Sequence, residues 1–246
     1  MKKVESLLFA EPTGLAKARL DKKTLSLFKN MEKVSQPLGK IANIGVGIQE
    51  SLVRGERISR FVVGNAENSN HVPVLRGREI SKFFIKWEGK YINYGPHLAY
   101  RGSPEVFQGE KILYQNIRNE TLPTRLVAAL DKKSFFPKNS LSIIWNPKPP
   151  FSLLYLLGLL NCRLVNSWFK CHYQSFHVTV TQVRTIPIPT GTPETRRILE
   201  SLVEEILSQD PKELIFGELL DSLERAVVSC YFPGGRVRNS DLIKSS

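Results

Sequence analysis

The chain has 246 residues, of which 41% are apolar and 24% charged, a balance that excludes a disordered polymer and allows one large domain or two small ones around a buried core. Lys and Arg number 35 against 23 Asp and Glu, so the net charge is +12, which points to a polyanionic partner and says nothing of the fold. The longest uncharged apolar run, Phe151 to Cys162, has 12 residues and is too short to span a bilayer, and Glu5 breaks the apolar stretch behind Met1-Lys2-Lys3, so neither a membrane protein nor a secretory signal is expected.

In chain order, Lys22 to Val34 places Leu25, Leu27, Phe28, Met31 and Val34 near helical spacing, and Gln36-Pro37 ends that helix. From Ile41 the pattern changes to short β-prone runs at Val46, Ile48, Phe61-Val63, Val72, Val74, Phe83-Ile85 and Tyr91-Ile92, separated by Gly, Asn and Ser. Further strands are predicted over Lys111 to Ile117, Leu126 to Leu130 and Leu141 to Trp145, followed by a rigid break at Asn146-Pro147-Lys148-Pro149-Pro150. Phe151 to Phe169 reads as one helix buried nearly all round. Thr185-Ile186-Pro187-Ile188-Pro189 cannot be helical and predicts an extended exit strand. Thr192 with Pro193 then opens an amphipathic helix to about Ser208, and Asp210-Pro211 opens another to about Tyr231.

The pattern predicts an α+β fold: a β-rich body with one buried core helix, followed by amphipathic helices. Its expected divisions are an N-terminal helical linker (1–36), a recognition domain (37–190) and a C-terminal helical segment (191–246). Charge divides unevenly between them: residues 1–190 hold 28 bases and 13 acids, a net +15, while residues 191–246 are net −3. A basic working body with an acidic helical appendage follows. Carboxylates such as Glu204-Glu205 would repel phosphate, so the last helices are expected either to dock a partner or to pack on their own domain.

Four blocks carry a family resemblance: Leu38 to Gln49; Val72-Pro73-Val74-Leu75-Arg76-Gly77-Arg78-Glu79-Ile80 with Tyr91-Ile92; Lys111-Ile112-Leu113 leading to Asp131; and Tyr155 to Asn161 with Val183-Arg184-Thr185-Ile186-Pro187-Ile188-Pro189. In order and spacing they resemble the TaqI-like C-terminal specificity domain of adenine-specific DNA methyltransferases and fused restriction-modification enzymes. Cys162 stands where that family usually has serine. The resemblance implies a target-recognition module acting in the cytoplasm on the nucleoid. Its S-adenosylmethionine pocket and catalytic (Asn/Asp/Ser)-Pro-Pro-(Tyr/Phe) motif would lie in a separate upstream domain or a partner methyltransferase or restriction subunit. No cofactor or metal is expected in this chain.

Other chemistries are weaker. Asn146 to Phe151 puts Lys148 beside the Pro-Pro pair, where an acceptor for adenine amino protons is needed. Gly45-Val46-Gly47 lacks the third glycine and distant carboxylate of a dinucleotide loop. Cys162, Cys171, His172 and His177 are spaced unlike zinc ligands, and the three cysteines, with Cys230, read as free thiols. Glu88-Gly89-Lys90 has the Glu-x-Lys half of a nuclease site, yet no Asp lies between Asp21 and Asp131 to complete it.

Double-stranded DNA is therefore the expected partner. Candidate phosphate contacts are Arg76, Arg78, Lys82, Lys86, Lys90, Arg101, Lys111, Arg118, Arg125, Lys132, Lys133 and Lys138. Gln115, Asn116, Arg118 and Asn119, just past a strand, are candidate readers of base edges, because Arg matches guanine and Asn or Gln matches adenine in the major groove. Gly77 is expected to supply a turn needing its conformational freedom. Tyr91, Tyr94 and Tyr100 suit either stacking on nucleotides or cross-strand packing. The competing readings are a fragment of an adenine methyltransferase that becomes active when complemented, and a generic binder of RNA or anionic membrane.

Overall fold

The structure, a computed structural model, describes residues 22–50, 61–118, 121–122, 124–211 and 215–233. Its elements run α1 (Lys22–Lys33), β1 (Ser35–Pro37), α2 (Leu38–Ile41), β2 (Asn43–Val46), β3 (Val62–Val63), β4 (His71–Leu75), a 3-10 turn (Gly77–Glu79), β5 (Tyr91–Asn93), α3 (Pro104–Gln108), β6 (Lys111–Gln115), β7 (Ala128–Asp131), β8 (Phe136–Pro137), β9 (Leu141–Trp145), α4 (Leu153–Asn161), α5 (Arg163–His172), α6 (Val180–Arg184), β10 (Pro187–Pro189), α7 (Pro193–Ser208) and α8 (Ile215–Tyr231). The fold is α+β.

Strands β2, β9, β6 and β7 form an antiparallel central sheet in that order. Alternation along its strands sends Ile44, Ile112, Tyr114, Ala128 and Ile144 into a core shared with the helices. Leu113, Ala129, Leu141 and Ile143 go to the opposite face, into a second core under the sheet β3-β5-β4-β8. The central sheet is thus covered on both faces. In the second sheet β4 pairs antiparallel with β5 and parallel with β8.

The run from Phe151 is two helices, not one. At Cys162 the backbone is extended (φ −75°, ψ 155°), ending α4 and capping α5, whose Val165 N–H reaches the thiol sulfur at 3.4 Å. The break is held from outside the run. Asn166 Nδ2 donates to the carbonyls of Leu160 and Cys162, each at 3.0 Å, and its Oδ1 accepts from the backbone of Arg125 and Leu126. Asn161 exchanges two bonds with the backbone of Ala128. Phe83 to Ile85, expected as a strand, makes only isolated bridges, with Phe83 buried at φ 70° and its N–H on Ala128 O at 2.8 Å.

The N-terminal helix and the exit strand meet through β1 and β10, which pair antiparallel from Ser35↔Pro189 to Pro37↔Pro187. Tyr155 and Tyr231 donate to the carbonyls of Pro189 and Pro187 at 2.8 and 2.6 Å. Thr192 caps α7 by accepting from Thr195 N–H, with Pro193 first in the helix. Helix α8 is described from Ile215, and the expected opening at Asp210-Pro211 runs into residues outside the described set. Leu199, Val203, Ile206, Leu219, Leu223 and Val227 bury α7 and α8 against α4, so these helices pack on their own core and leave Glu204 and Glu205 exposed.

Gly158 makes that packing possible. A Cβ there would sit 2.7 Å from Leu199 Cδ2, 2.9 Å from Val203 Cγ2 and 3.3 Å from Leu223 Cδ1. Gly158→Leu is expected to overpack the three-helix junction and lower unfolding free energy by about 1–3 kcal/mol, read by urea denaturation. A variant as stable as the parent would show that the helices do not meet this closely.

Candidate nucleic-acid interface

The site grows from the turn that follows β4. Buried Glu79 folds back on it: its carboxylate accepts from Arg76 N–H at 2.8 Å, from Arg76 Nε at 3.0 Å and from Glu88 N–H at 2.9 Å. Gly77 N–H donates to Ser140 Oγ at 2.9 Å, and a Cβ on Gly77 would lie 3.1 Å from Ser140 O. Gly77 does sit in a turn, but the glycine serves this close approach rather than conformational freedom, since its φ lies outside the positive range that calls for glycine.

Gln115, at the end of β6, braces the same turn. Its amide donates to Gly77 O at 2.7 Å and Ile80 O at 2.9 Å, and its carbonyl accepts from Arg118 at 3.0 Å. Arg118 also donates to Thr124 O at 2.8 Å, and Asn116 donates to Asn139 O at 2.9 Å. Three of the four expected base readers are therefore turned toward protein groups and shape the surface. Asn119 lies outside the described residues.

Cations collect around this turn. Glu88 takes Arg78 in a two-bond fork at 3.0 and 2.8 Å and Arg76 at 2.7 Å. The Arg78 hydrogen bond is the main reason the Glu88 carboxyl is held below its ordinary value. Lys86 N–H donates to Glu79 O, Lys90 acts on Glu88 through charge, and half-buried Lys82 lies within electrostatic reach of Arg118. Burial pushes the Lys82 ammonium pKa down. Arg76, Arg78, Lys90 and Arg118 thus lie around one turn with two carboxylates, Glu79 and Glu88, while Lys82 feels Glu224 and Arg163 of the helical layer more strongly than Arg118, and Lys86 is tied to the turn by its backbone alone. Exposed pairs of the Arg78–Glu88 kind are worth about 0–1 kcal/mol, so a phosphate or base edge can replace the carboxylate at little cost.

Other expected contacts lie elsewhere. Lys111 and Arg125, expected on phosphates, are 0% exposed, which corrects both. Lys111 Nζ is enclosed by Asp131 at 2.6 Å and the carbonyls of Phe107 and Gly109, and Arg125 donates to Ser175 O at 2.5 Å. Lys132 and Lys133 are exposed but follow Asp131, at the end of the central sheet away from Gln115, about 13 Å along the strand by the usual rise. Lys138 pairs with buried Glu50 at 3.0 Å, and Arg101 is exposed on the loop after Tyr100. Tyr91 packs edge-on against Trp87 and Tyr94 against Phe136, while Tyr100 stays 45% exposed.

The sequence offered Glu88 only as half of a nuclease site and gave Glu79 no part in binding, although Arg76 and Glu79 are spaced as an i,i+3 pair. It also passed over Lys40, Lys148 and Arg184, which gather at α2 and β2: Lys148 Nζ donates to Lys40 O at 2.8 Å and Arg184 to Ile44 O at 3.4 Å. The four residues considered as metal ligands fall apart. Cys162 caps α5, His172 is buried on Trp168 O, and His177 is exposed. No helix among the described residues is long and apolar enough to cross a membrane.

Comparison with known proteins agrees with this architecture. The fold is similar to that of the Type IIL restriction-modification enzyme MmeI, solved in complex with DNA, with a TM-score of 0.57 at 14% identity over 84% of this chain and 34% of that one. A lower similarity, TM-score 0.41 at 13% identity, relates 94% of the chain to 54% of the HsdS subunit from Thermoanaerobacter tengcongensis. The chain thus spans about a third of the first protein and about half of the second. No curated protein matches. Residues 72–188 match the family model of the TaqI-like C-terminal specificity domain. The matched segment, just under half of the chain, contains the braced turn, the strands β6, β7 and β9 and most of the exit strand.

Burying Lys111 with Asp131 makes a separate structural prediction. Lys111→Ala leaves a carboxylate in the interior with only the backbone N–H groups of Lys133 and Phe135 to hold it, and is expected to cost about 3–5 kcal/mol in urea unfolding. Stability close to the parent's would return Lys111 to the surface.

Proposed function

We propose that this chain is the address-reading module of a restriction-modification system. It binds double-stranded DNA sequence-specifically and holds the target site while a catalytic domain elsewhere methylates adenine at N6 or cleaves the strand. The observation that carries this reading is the set of four cations, Arg76, Arg78, Lys90 and Arg118, around one braced turn inside the segment that matches the specificity-domain family. Phosphates fix register, and forked side chains at groove edges supply sequence. Arg78 is exposed, already held flat by Glu88, and has the geometry for either a phosphate or guanine O6/N7.

Residues 37–190 are proposed as the recognising unit, with the α7–α8 pair as its buttress. The reaction belongs to a partner methyltransferase or restriction subunit, or to a further part of the same protein, which holds S-adenosylmethionine and takes the flipped adenine. The chain would then act as one portion of an adenine-specific methyltransferase when the catalytic portion is supplied.

A salt titration tests the binding. The excess of the turn's cations over its carboxylates, two charges, leads us to expect log affinity for duplex DNA to fall with log salt at a slope of about −2, or roughly −0.9 per phosphate. Arg78→Ala is expected to weaken binding and flatten that slope by about 1. A flat line for the parent chain, or RNA bound as tightly as any duplex, would end the reading. Glu88→Gln, which releases Arg76 and Arg78 from their intramolecular carboxylate, is expected to tighten duplex binding by about two- to fivefold, seen by fluorescence anisotropy, whereas weaker binding would mean that Glu88 positions the arginines in the complex as well.

A further inference from the structure

Beyond β6 the chain forms a short two-stranded ribbon whose apolar side chains the DNA-binding reading does not use. Ile117 bridges His177 antiparallel, Arg118 N–H donates to Phe176 O at 3.1 Å, and Val178 N–H donates to Asn116 O at 2.8 Å. Two bonds fix both strands to each other, and buried Val178 anchors the ribbon in the helical core. The ribbon nevertheless presents two large apolar side chains to solvent, Ile117 at 49% exposure and Phe176 at 53%. Directly opposed residues of an antiparallel pair share a face. Ile117 therefore lies with His177 on one face and Phe176 with Arg118 on the other, so the tip is apolar on both sides.

A lone exposed apolar side chain needs no explanation. Two at one rigid tip, beside a basic surface, are a different case. Ile117 itself lines a shallow pocket with Arg76, Gly77, Arg78, Gln115 and Ser140. The Ile117 face of the ribbon is therefore continuous with the basic turn, and charge complementarity selects a polyanion with apolar surface inside it. Duplex DNA has that layering: phosphates outside, stacked base faces within.

From this juxtaposition we infer that the 116–118/176–178 ribbon is a wedge: Ile117, on the face beside Arg76 and Arg78, enters a base step and partly unstacks it while those arginines hold the flanking phosphates, and Phe176 gives the opposite face of the ribbon an apolar surface against the displaced bases. Apolar wedges of this kind open and kink a duplex. The wedge rests on the proposed DNA binding and adds to it a mechanical action on the helix axis. A locally opened step lowers the remaining work of extruding a neighbouring base.

The test uses the full chain and a nicked plasmid that is sealed with ligase in the presence of saturating protein. A wedge that unstacks base pairs unwinds the DNA, and after the protein is removed the topoisomer distribution is shifted. The Ile117→Ala/Phe176→Ala chain is expected to bind plasmid within about tenfold of the parent, because the cations remain, yet to leave the distribution unshifted. Phe176→Leu, which keeps an apolar tip, is expected to retain part of the shift. Both substituted side chains are half exposed, and a thermal melt verifies the fold. If the parent binds plasmid without shifting it, or the double variant shifts it equally, the wedge is refuted while DNA binding stands. If the parent does not bind plasmid at all, both readings fall together.

Discussion

A sheet covered on both faces can offer side chains to a partner only at its ends and along its edges. That constraint governs this protein. Helices take one face of β2-β9-β6-β7 and a second sheet takes the other. A polar residue in the middle of these strands must therefore find a partner inside, and one at a strand terminus is free to build a surface. The two ends of strand β6 show that a terminus can do either, depending on whether other elements cover it. Lys111, at its start, is sealed against Asp131 and two carbonyls, whereas Gln115, at its end, holds the turn that carries Arg76 and Arg78.

The braced turn depends on polar groups with no exposure of their own. Glu79 is buried and meets three donors, two backbone N–H groups and one guanidinium nitrogen. A carboxylate in such a position is costly unless its acceptors are filled, and filled it makes the local backbone hard to move. The same logic places Asn161 and Asn166 at the break between α4 and α5, where each uses one side chain to tie a helix end to the strand region near Ala128. Preorganisation of this kind lowers the ordering cost of binding, because the arginines on the turn start from a defined geometry.

Legibility in the sequence followed the range of the interactions. The cap at Thr192-Pro193, the stop before Pro37 and the strands around Leu113 and Ile143 are local or periodic features, and they appear where the pattern places them. The break at Cys162 was hidden, because an unbroken apolar run has the same composition whether or not Asn166 pulls its middle apart. Burial of Lys111 and Arg125 was hidden for the same reason: Asp131 is 20 residues from Lys111, and the carbonyl of Ser175 is 50 from Arg125. A count of positive residues treats all of them as surface. Only partners distant in sequence separate the cations that hold the interior from those that remain outside.

The Arg78–Glu88 pair carries a further implication. A specificity surface must let go of wrong sequences as well as hold the right one, and free arginines on a strongly basic chain would grip any phosphate backbone. If the turn binds DNA as proposed, occupying Arg76 and Arg78 with one half-exposed carboxylate reduces the attraction to DNA in general while keeping the guanidinium groups aligned. Releasing Glu88 costs little in water, so a site that offers both a phosphate and a matching base edge recovers the cost, and a site that offers phosphate alone gains less. Under this reading the acids within the basic surface serve discrimination, and the turn's two carboxylates belong to recognition as much as its cations do.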